Sequence, residues 1–206
     1  MTKTEWLDEL RNSVASTDRS HLVRAAICTD FRQLAGDLEL VPALQEVFAT
    51  ANRHPAFLRR VARTATELSL PLTFRGSFAV ERRGAAAGKI DIKAGGMKPI
   101  TNLARFYALR GGGTSVATLE RLHRAEGYGE LPAHAAEALR DAFDVTWRVR
   151  LEHHATQREA GVEVDDLVDP DDLPALAREE LRDALRQSAQ PRTSSKVFFQ
   201  AAGDGL

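Results

Sequence analysis

Residues 72–109 read LTFRGSFAVERRGAAAGKIDIKAGGMKPITNLARFYAL, and the reading of the whole chain turns on them. Leu72, Phe74, Phe78 and Val80 alternate with Thr73, Arg75, Ser77, Ala79 and Glu81, the pattern of a half-buried strand. Ile90 and Ile92 alternate in the same way with Lys89, Asp91 and Lys93. Arg82-Arg83-Gly84 and the Ala-Gly run behind it can turn the chain back, so a β-hairpin is predicted. Gly95-Gly96 then breaks the second strand, and Pro99 sits where a first helical turn tolerates it. Ile100, Leu103 and Tyr107 share one helical face. Asp91, Lys93, Lys98 and Arg105 bracket this hinge, where a ligand or a partner domain would be gripped.

On either side of the hinge the periodicity is helical. Trp6, Leu7, Leu10 and Val14 give a short opening helix ending before Ser16. Asp18 or Ser20 caps a second helix, with Leu22, Ala25, Ala26, Phe31 and Leu34 inward and Gly36-Asp37 closing it. Residues 41–68 form two helices rather than one, because the residue before Pro55 avoids helical geometry. Leu44, Val47, Phe48 and Ala51 are buried by the first, and Phe57, Leu58, Val61 and Ala65 by the second. Gly111-Gly112-Gly113 stops the hinge helix, and Thr114 or Ser115 caps another to about Glu126. Residues 133–160 form the longest periodic segment, roughly 40 Å at the α-helical rise. Its inward stripe runs Ala135, Leu139, Ala142, Phe143, Thr146, Val149, Arg150, His153. The polar end of that stripe must face something wet or charged. After Gly161 an acidic loop leads to Asp171 or Asp172 as the cap of a last helix, and Pro191 begins a tail.

The chain has 206 residues, 43% hydrophobic but only 6% aromatic. A core of Leu, Val and Ala suits packed helices better than a sandwich. The fold class is therefore all-α, an up-down helical bundle with one small β-hairpin insertion. The formal net charge of −1 supplies no field to attract nucleic acid or an anionic membrane. One cysteine, Cys28, allows no internal disulfide and reads as a small core residue. The charged first ten residues are not a signal peptide, and no apolar run is long enough to span a bilayer. A cytoplasmic protein is expected.

The charged groups have two readings. Asp91 between lysines can be an ion pair clasping hairpin to helix. Alternatively, Lys93 and Lys98 reach phosphates or an acidic substrate surface, with Asp91 orienting them and Gly95-Gly96 offering N–H groups at a helix N-terminus. Arg150 and His153, one turn apart, line the same cleft or form a polar layer within the bundle. Nucleotidyl transfer with two metal ions needs paired carboxylates. Gly76-Ser77 followed by Asp91-Ile92-Lys93 only imitates that signature, because a lysine stands where the second carboxylate belongs. No catalytic residue and no metal ligand is assigned. Glu120 and His123 lack a second half-site, and His153-His154 lie about 100° apart on a helix and cannot chelate one ion alone. The acidic run 163–172 lacks the glycine and distal glutamate of a calcium loop and reads as a solvated turn.

These residues also carry a family resemblance. Phe74-x-Gly76-x-Phe78-x-x-Glu81, Asp91-Ile92-Lys93 and Gly96-Met97-x-Pro99-Ile100-x-Asn102-Leu103-Ala104-Arg105-x-Tyr107-Ala108-Leu109 stand together here. With Thr118-x-x-Arg121-Leu122, Ala142-Phe143 and Arg150-x-x-His153, they resemble the DUF294 substrate-binding domain that follows a nucleotidyltransferase domain in bacterial signalling proteins. Ala25 to Arg32 with Gly36-Asp37 fits the segment that enters that domain, so the resemblance spans roughly Arg19 to Arg186. Lys93-x-Gly95-Gly96-Met97-Lys98 is also similar to a stretch just after the catalytic domains of the PII uridylyltransferase and the glutamine-synthetase adenylyltransferase.

The resemblance implies residues 1–18 as a helix or linker from a preceding domain, 19–188 as the substrate-binding helical domain, and 189–206 as a flexible tail. It implies a nucleotidyltransferase catalytic domain as partner, in cis or in trans, related to the uridylyltransferase of the PII protein. CBS or cyclic-nucleotide-binding modules are implied as regulators. Magnesium and a nucleoside triphosphate would be held in that catalytic domain, which is expected before Met1, and this chain alone would turn nothing over. The substrate side of the cleft would be framed by Asp91, Lys93, Gly95, Gly96, Lys98, Arg105, Arg150 and His153. The rival reading is a non-catalytic interaction module docking a regulatory or catalytic partner. A third is a homodimer paired through the spine helix.

Overall fold

The computed structural model describes residues 2–16, 18–35, 40–128 and 130–201, with side chains for all of these except 19, 22, 23 and 196–201. The chain is mainly helical with one small antiparallel sheet. α1 (Lys3–Ala15) starts at a capping box, in which Thr2 and Glu5 each accept the other's backbone N–H. Asp18 caps α2 (Arg19–Cys28) through the Ser20 N–H at 2.8 Å. α3 (Leu40–Ala49) and α4 (Pro55–Glu67) are separate helices, broken at His54-Pro55 as the proline requires. They bury Leu44, Val47 and Phe48, and Phe57, Leu58, Val61 and Ala65.

α5 (Lys98–Arg110) is the central helix, with eight of its residues buried, among them Ile100, Leu103, Phe106 and Tyr107. α4 and α6 (Thr118–Gly127) pack on it. α7 (Ala133–Glu159) is the long spine, carrying α8 (Ala175–Gln187) and packing against the segment that precedes α5. Its buried stripe is Ala135, Ala136, Leu139, Ala142, Val145, Thr146 and Val149. Gly161, at φ +69, follows its end. These helices enclose one apolar cluster, to which α1 contributes Leu7, Leu10 and Val14 and α2 the buried Cys28.

Several expectations are corrected. Residues 72–81 form no strand. A tight turn closes between Leu72 and Phe78, with the Thr73 N–H donating to Ser77 O and Gly76 at φ +80. Phe74 and Val80 are exposed while Leu72 and Phe78 pack partly buried against the core, so the segment closes on itself as a turn and adds no strand to the sheet. β1 (Ile90–Asp91) pairs instead with β2 (Leu167–Val168), Ile90 opposite Val168, because Val168 supplies the buried apolar neighbour. The sheet thus joins distant parts of the chain. α2 stops at Cys28, leaving Phe31 and Leu34 exposed, and Gly36-Asp37 lies outside the described residues. α6 is preceded by Ala117 and α8 by Pro174, not by Thr114, Ser115, Asp171 or Asp172.

Residues 189–201 are not a tail but a helix, α9 (Ala189–Ala201), docked on α4. Arg192 donates to the carbonyls of Thr66 and Leu68, satisfying the C-terminal end of α4. Tyr107 Oη donates to Pro191 O at 2.9 Å, and burial pushes that phenol up. Proline early in α9 is tolerated because first-turn N–H groups have no helical partner anyway. Among the described residues no helix is long and apolar enough to cross a membrane.

Candidate functional site

The site is the seam between β1, the turn after it and the C-terminal half of α7. Residues 92–97 form a single π-helical turn running directly into α5; such turns concentrate at functional sites. Asp91 caps it, accepting the Ala94 N–H at 2.7 Å. Gly95 and Gly96 let this turn sit close to its neighbours. A Cβ at Gly96 would lie 3.0 Å from Thr146 Cγ2 of α7, and one at Gly95 would lie 3.1 Å from Pro71 Cδ. The glycine pair therefore serves packing on the sides where their side chains would project.

Across the seam, Arg150, His153, His154 and Gln157 fall at helical spacing over the last turns of α7. The loop entering β2 lies against them. Asp165 Oδ1 accepts from His153 Nε2 at 3.1 Å, Gln157 Nε2 at 2.9 Å and the Leu167 N–H at 3.0 Å. Asp166 Oδ1 accepts from Arg150 Nε at 2.6 Å and His154 Nε2 at 3.0 Å, while Lys93 Nζ stands 3.7 Å from Oδ2. The Asp166 carbonyl takes the Ile92 N–H, which ties the loop to the π turn. Arg150 also lies over the Trp147 ring, 5.3 Å from its centroid.

Both carboxyls are held below their ordinary range. The Leu167 N–H, Gln157 and His153 bring Asp165 down to about 2. For Asp166, burial acts upward and is outweighed by hydrogen bonds from Arg150 and His154 and by the charges of Arg150 and Lys93. An ionised carboxylate can only accept, so each histidine presents Nε2–H to its aspartate. Because the folded-state pKa of Asp165 is depressed, its contribution to loop anchoring is complete above about pH 4 and lost as pH falls toward 2. Amide exchange at Leu167 should stay protected at pH 5, and its protection should fall in that acid window. Asp165→Asn should already weaken that protection at neutral pH.

Of the predicted site residues, Asp91, Lys93, Arg150 and His153 are brought to this seam. Lys98 is exposed on the first turn of α5, with no ion pair among the described residues. Arg105 is elsewhere. It pairs with Asp30 at 2.6 Å and donates to Asn102 at 2.9 Å, as part of a cluster with buried Arg121. Arg105 is therefore removed from the group framing the cleft. Sequence reasoning missed Asp165, Asp166 and His154. The signal was present in the polar end of the α7 stripe, which needed a charged partner, and the acidic loop just beyond supplies it. Glu120 is paired with Arg124 at 2.6 Å rather than with His123. Among the described residues, no three His, Cys, Asp or Glu side chains are grouped to hold a metal ion.

The family described as "Putative nucleotidyltransferase substrate binding domain" matches over residues 55–195, and the chain belongs to it. That match takes in the 72–78 turn, the seam and the first part of α9. No curated protein and no solved structure matches the chain.

Proposed function

We propose that the chain is the substrate-binding and scaffold half of a PII-uridylyltransferase-like signalling nucleotidyltransferase. In this reading Lys93 and Lys98 form the exposed rim that meets an acidic or phosphorylated substrate. Arg150, His153 and the Asp165-Asp166 loop hold the floor beneath them. Catalysis, with magnesium and a nucleoside triphosphate, belongs to a nucleotidyltransferase domain acting in cis or in trans, with CBS or cyclic-nucleotide-binding modules as regulators.

The observation that carries the reading is the family match over 55–195, together with the commitments of the acidic groups near the hinge. Asp91 is occupied as a helix cap and is followed two residues later by a lysine. Asp165 and Asp166 are engaged by His153, His154 and Arg150. Each of these carboxylates already serves as an acceptor for its own neighbours, which supports a structural and binding role for them. Lys93 and Lys98 are each exposed, one within the π turn and one just after it, with buried Gly96 and Met97 between them, and their exposure supports a ligand-facing role.

A clasp-only interaction module is separable from this reading by Lys93→Ala/Lys98→Ala. Lys93 is half-exposed and its ion pair is long, so the pair contributes about 0–1 kcal/mol. The double variant should melt within about 3 °C of the parent and lose support of its catalytic partner's activity. A larger fall in Tm with unchanged support would favour the clasp.

A further inference from the structure

A second groove lies beside the 73–77 turn, walled by that turn, the C-terminal end of α8 and the start of α9. Three arginines from three separate segments line it, Arg75, Arg186 and Arg192, with Ser69 at its edge and, among the described residues, no acidic residue in its wall. Arg186 has a partner outside the wall, Asp183 at 3.3 Å on an exposed face. Arg192 is fixed by its bonds to the Thr66 and Leu68 carbonyls, and its Nε is buried without a partner among the described residues. At the lip stands Phe74, 106% exposed. The turn that carries it is stiff. Thr73 N–H donates to Ser77 O, Gly76 N–H to Thr73 O, and Ser77 N–H to Thr73 Oγ1.

Phe74 therefore offers a fully exposed ring face on a hydrogen-bonded turn, a surface on which a planar group can stack. Flat apolar surface on one side and concentrated positive charge on the other complement a ligand with a planar ring and a polyanionic tail. We propose that this groove binds a nucleotide, its base stacked on Phe74 and its phosphates held by Arg75, Arg186 and Arg192. Stacking on an aromatic side chain tolerates any base, and guanidiniums match phosphate geometry. The groove is distinct from the Lys93–Lys98 rim, whose residues do not line it, and it stands on its own residues whether or not that rim binds anything. Pro71, between groove residues Leu70 and Leu72, packs against Gly95. A nucleotide here would lie next to the proposed substrate rim.

The test is calorimetric titration of the whole chain with ATP and with inorganic tripolyphosphate as a ring-free probe. Phe74, Arg75 and Arg186 are exposed, so their variants keep the fold. Saturable ATP binding is expected. Phe74→Ala should weaken ATP about tenfold, the contribution of one stacked base, and leave tripolyphosphate unchanged. Arg75→Ala/Arg186→Ala should weaken both ligands, and Lys93→Ala/Lys98→Ala neither. Absence of saturable ATP binding at millimolar concentration would overturn the proposal. So would ATP affinity indifferent to Phe74→Ala, which would mean a bare anion patch. If only the lysine variant loses ATP, the nucleotide sits on the rim, and this groove fails while the substrate-binding reading survives.

Discussion

Replacing Asp30 with alanine should destabilise the fold by about 2–3 kcal/mol, an expected fall in Tm of roughly 5–10 °C. Arg121 is only 3% exposed. It donates Nε to Ser115 O at 2.7 Å and reaches Thr29 O and Asp30 Oδ1, each at 2.8 Å. Burial pulls its pKa down and Asp30 pulls it up. Asp30 Oδ2 at the same time takes Arg105 at 2.6 Å, so one carboxylate stands between two guanidiniums. Removing it leaves two like charges facing each other at the junction of α2, α5 and α6. Breaking a fully buried pair costs about 3–5 kcal/mol. Asp30 is itself nearly half exposed, and water relieves part of that penalty. Asp30→Asn should recover about half the loss, because an acceptor remains. Arg121→Lys should rescue little, since one ammonium cannot reproduce the fork. Thermal melts at neutral pH measure this, and a Tm within 2 °C of the parent would show that the cluster is not structural. Arg105→Ala should likewise lower Tm without changing ligand binding.

Gly96→Val should cost up to about 3 kcal/mol by overpacking. Its Cβ would meet Thr146 Cγ2 at 3.0 Å and Ile92 Cδ1 at 3.3 Å. Thr146 is completely buried, and its hydroxyl donates to Ala142 O and Phe143 O, which locks the rotamer that presents the methyl. Ile92 is also fully buried. With neither neighbour free to swing, the π turn must lift off α7, carrying Lys93 away from Asp166. Gly127→Ala is the control, because a Cβ there would meet nothing within 4 Å. Urea denaturation should show a clear loss of stability for Gly96→Val and a change within about 1 kcal/mol for Gly127→Ala. Equal losses would mean that the seam repacks as easily as the surface.

The helices were legible in the sequence because their signals are local. The apolar spacing in α4 and α7, the break at His54-Pro55 and the Asp18 cap act within a few residues of one another. What was not legible depends on residues far apart in the chain. β1 alternates correctly, but periodicity does not name a partner, and Leu167–Val168 lies more than seventy residues on. The Asp165-Asp166 loop reads as solvated turn until α7 is folded, when His153 and His154, unable to share one ion, take one aspartate each. Arg105 reads as part of the hinge because Lys98 is near in sequence. Its actual partner, Asp30, follows α2. The 189–206 segment reads as a tail from Pro191 and small polar residues, whereas α9 is held by Arg192 and Tyr107, contacts that no local pattern encodes.

The claim on which the functional reading rests is that this chain binds and frames a substrate but performs no nucleotidyl transfer itself. The most direct measurement incubates the chain with magnesium and ATP, UTP or GTP, following pyrophosphate release and any nucleotidylated product by mass. Weak nucleotide binding with no pyrophosphate above background is the predicted result. Sustained pyrophosphate release abolished by Asp91→Asn would contradict it, because a carboxylate of the hinge would then be doing chemistry.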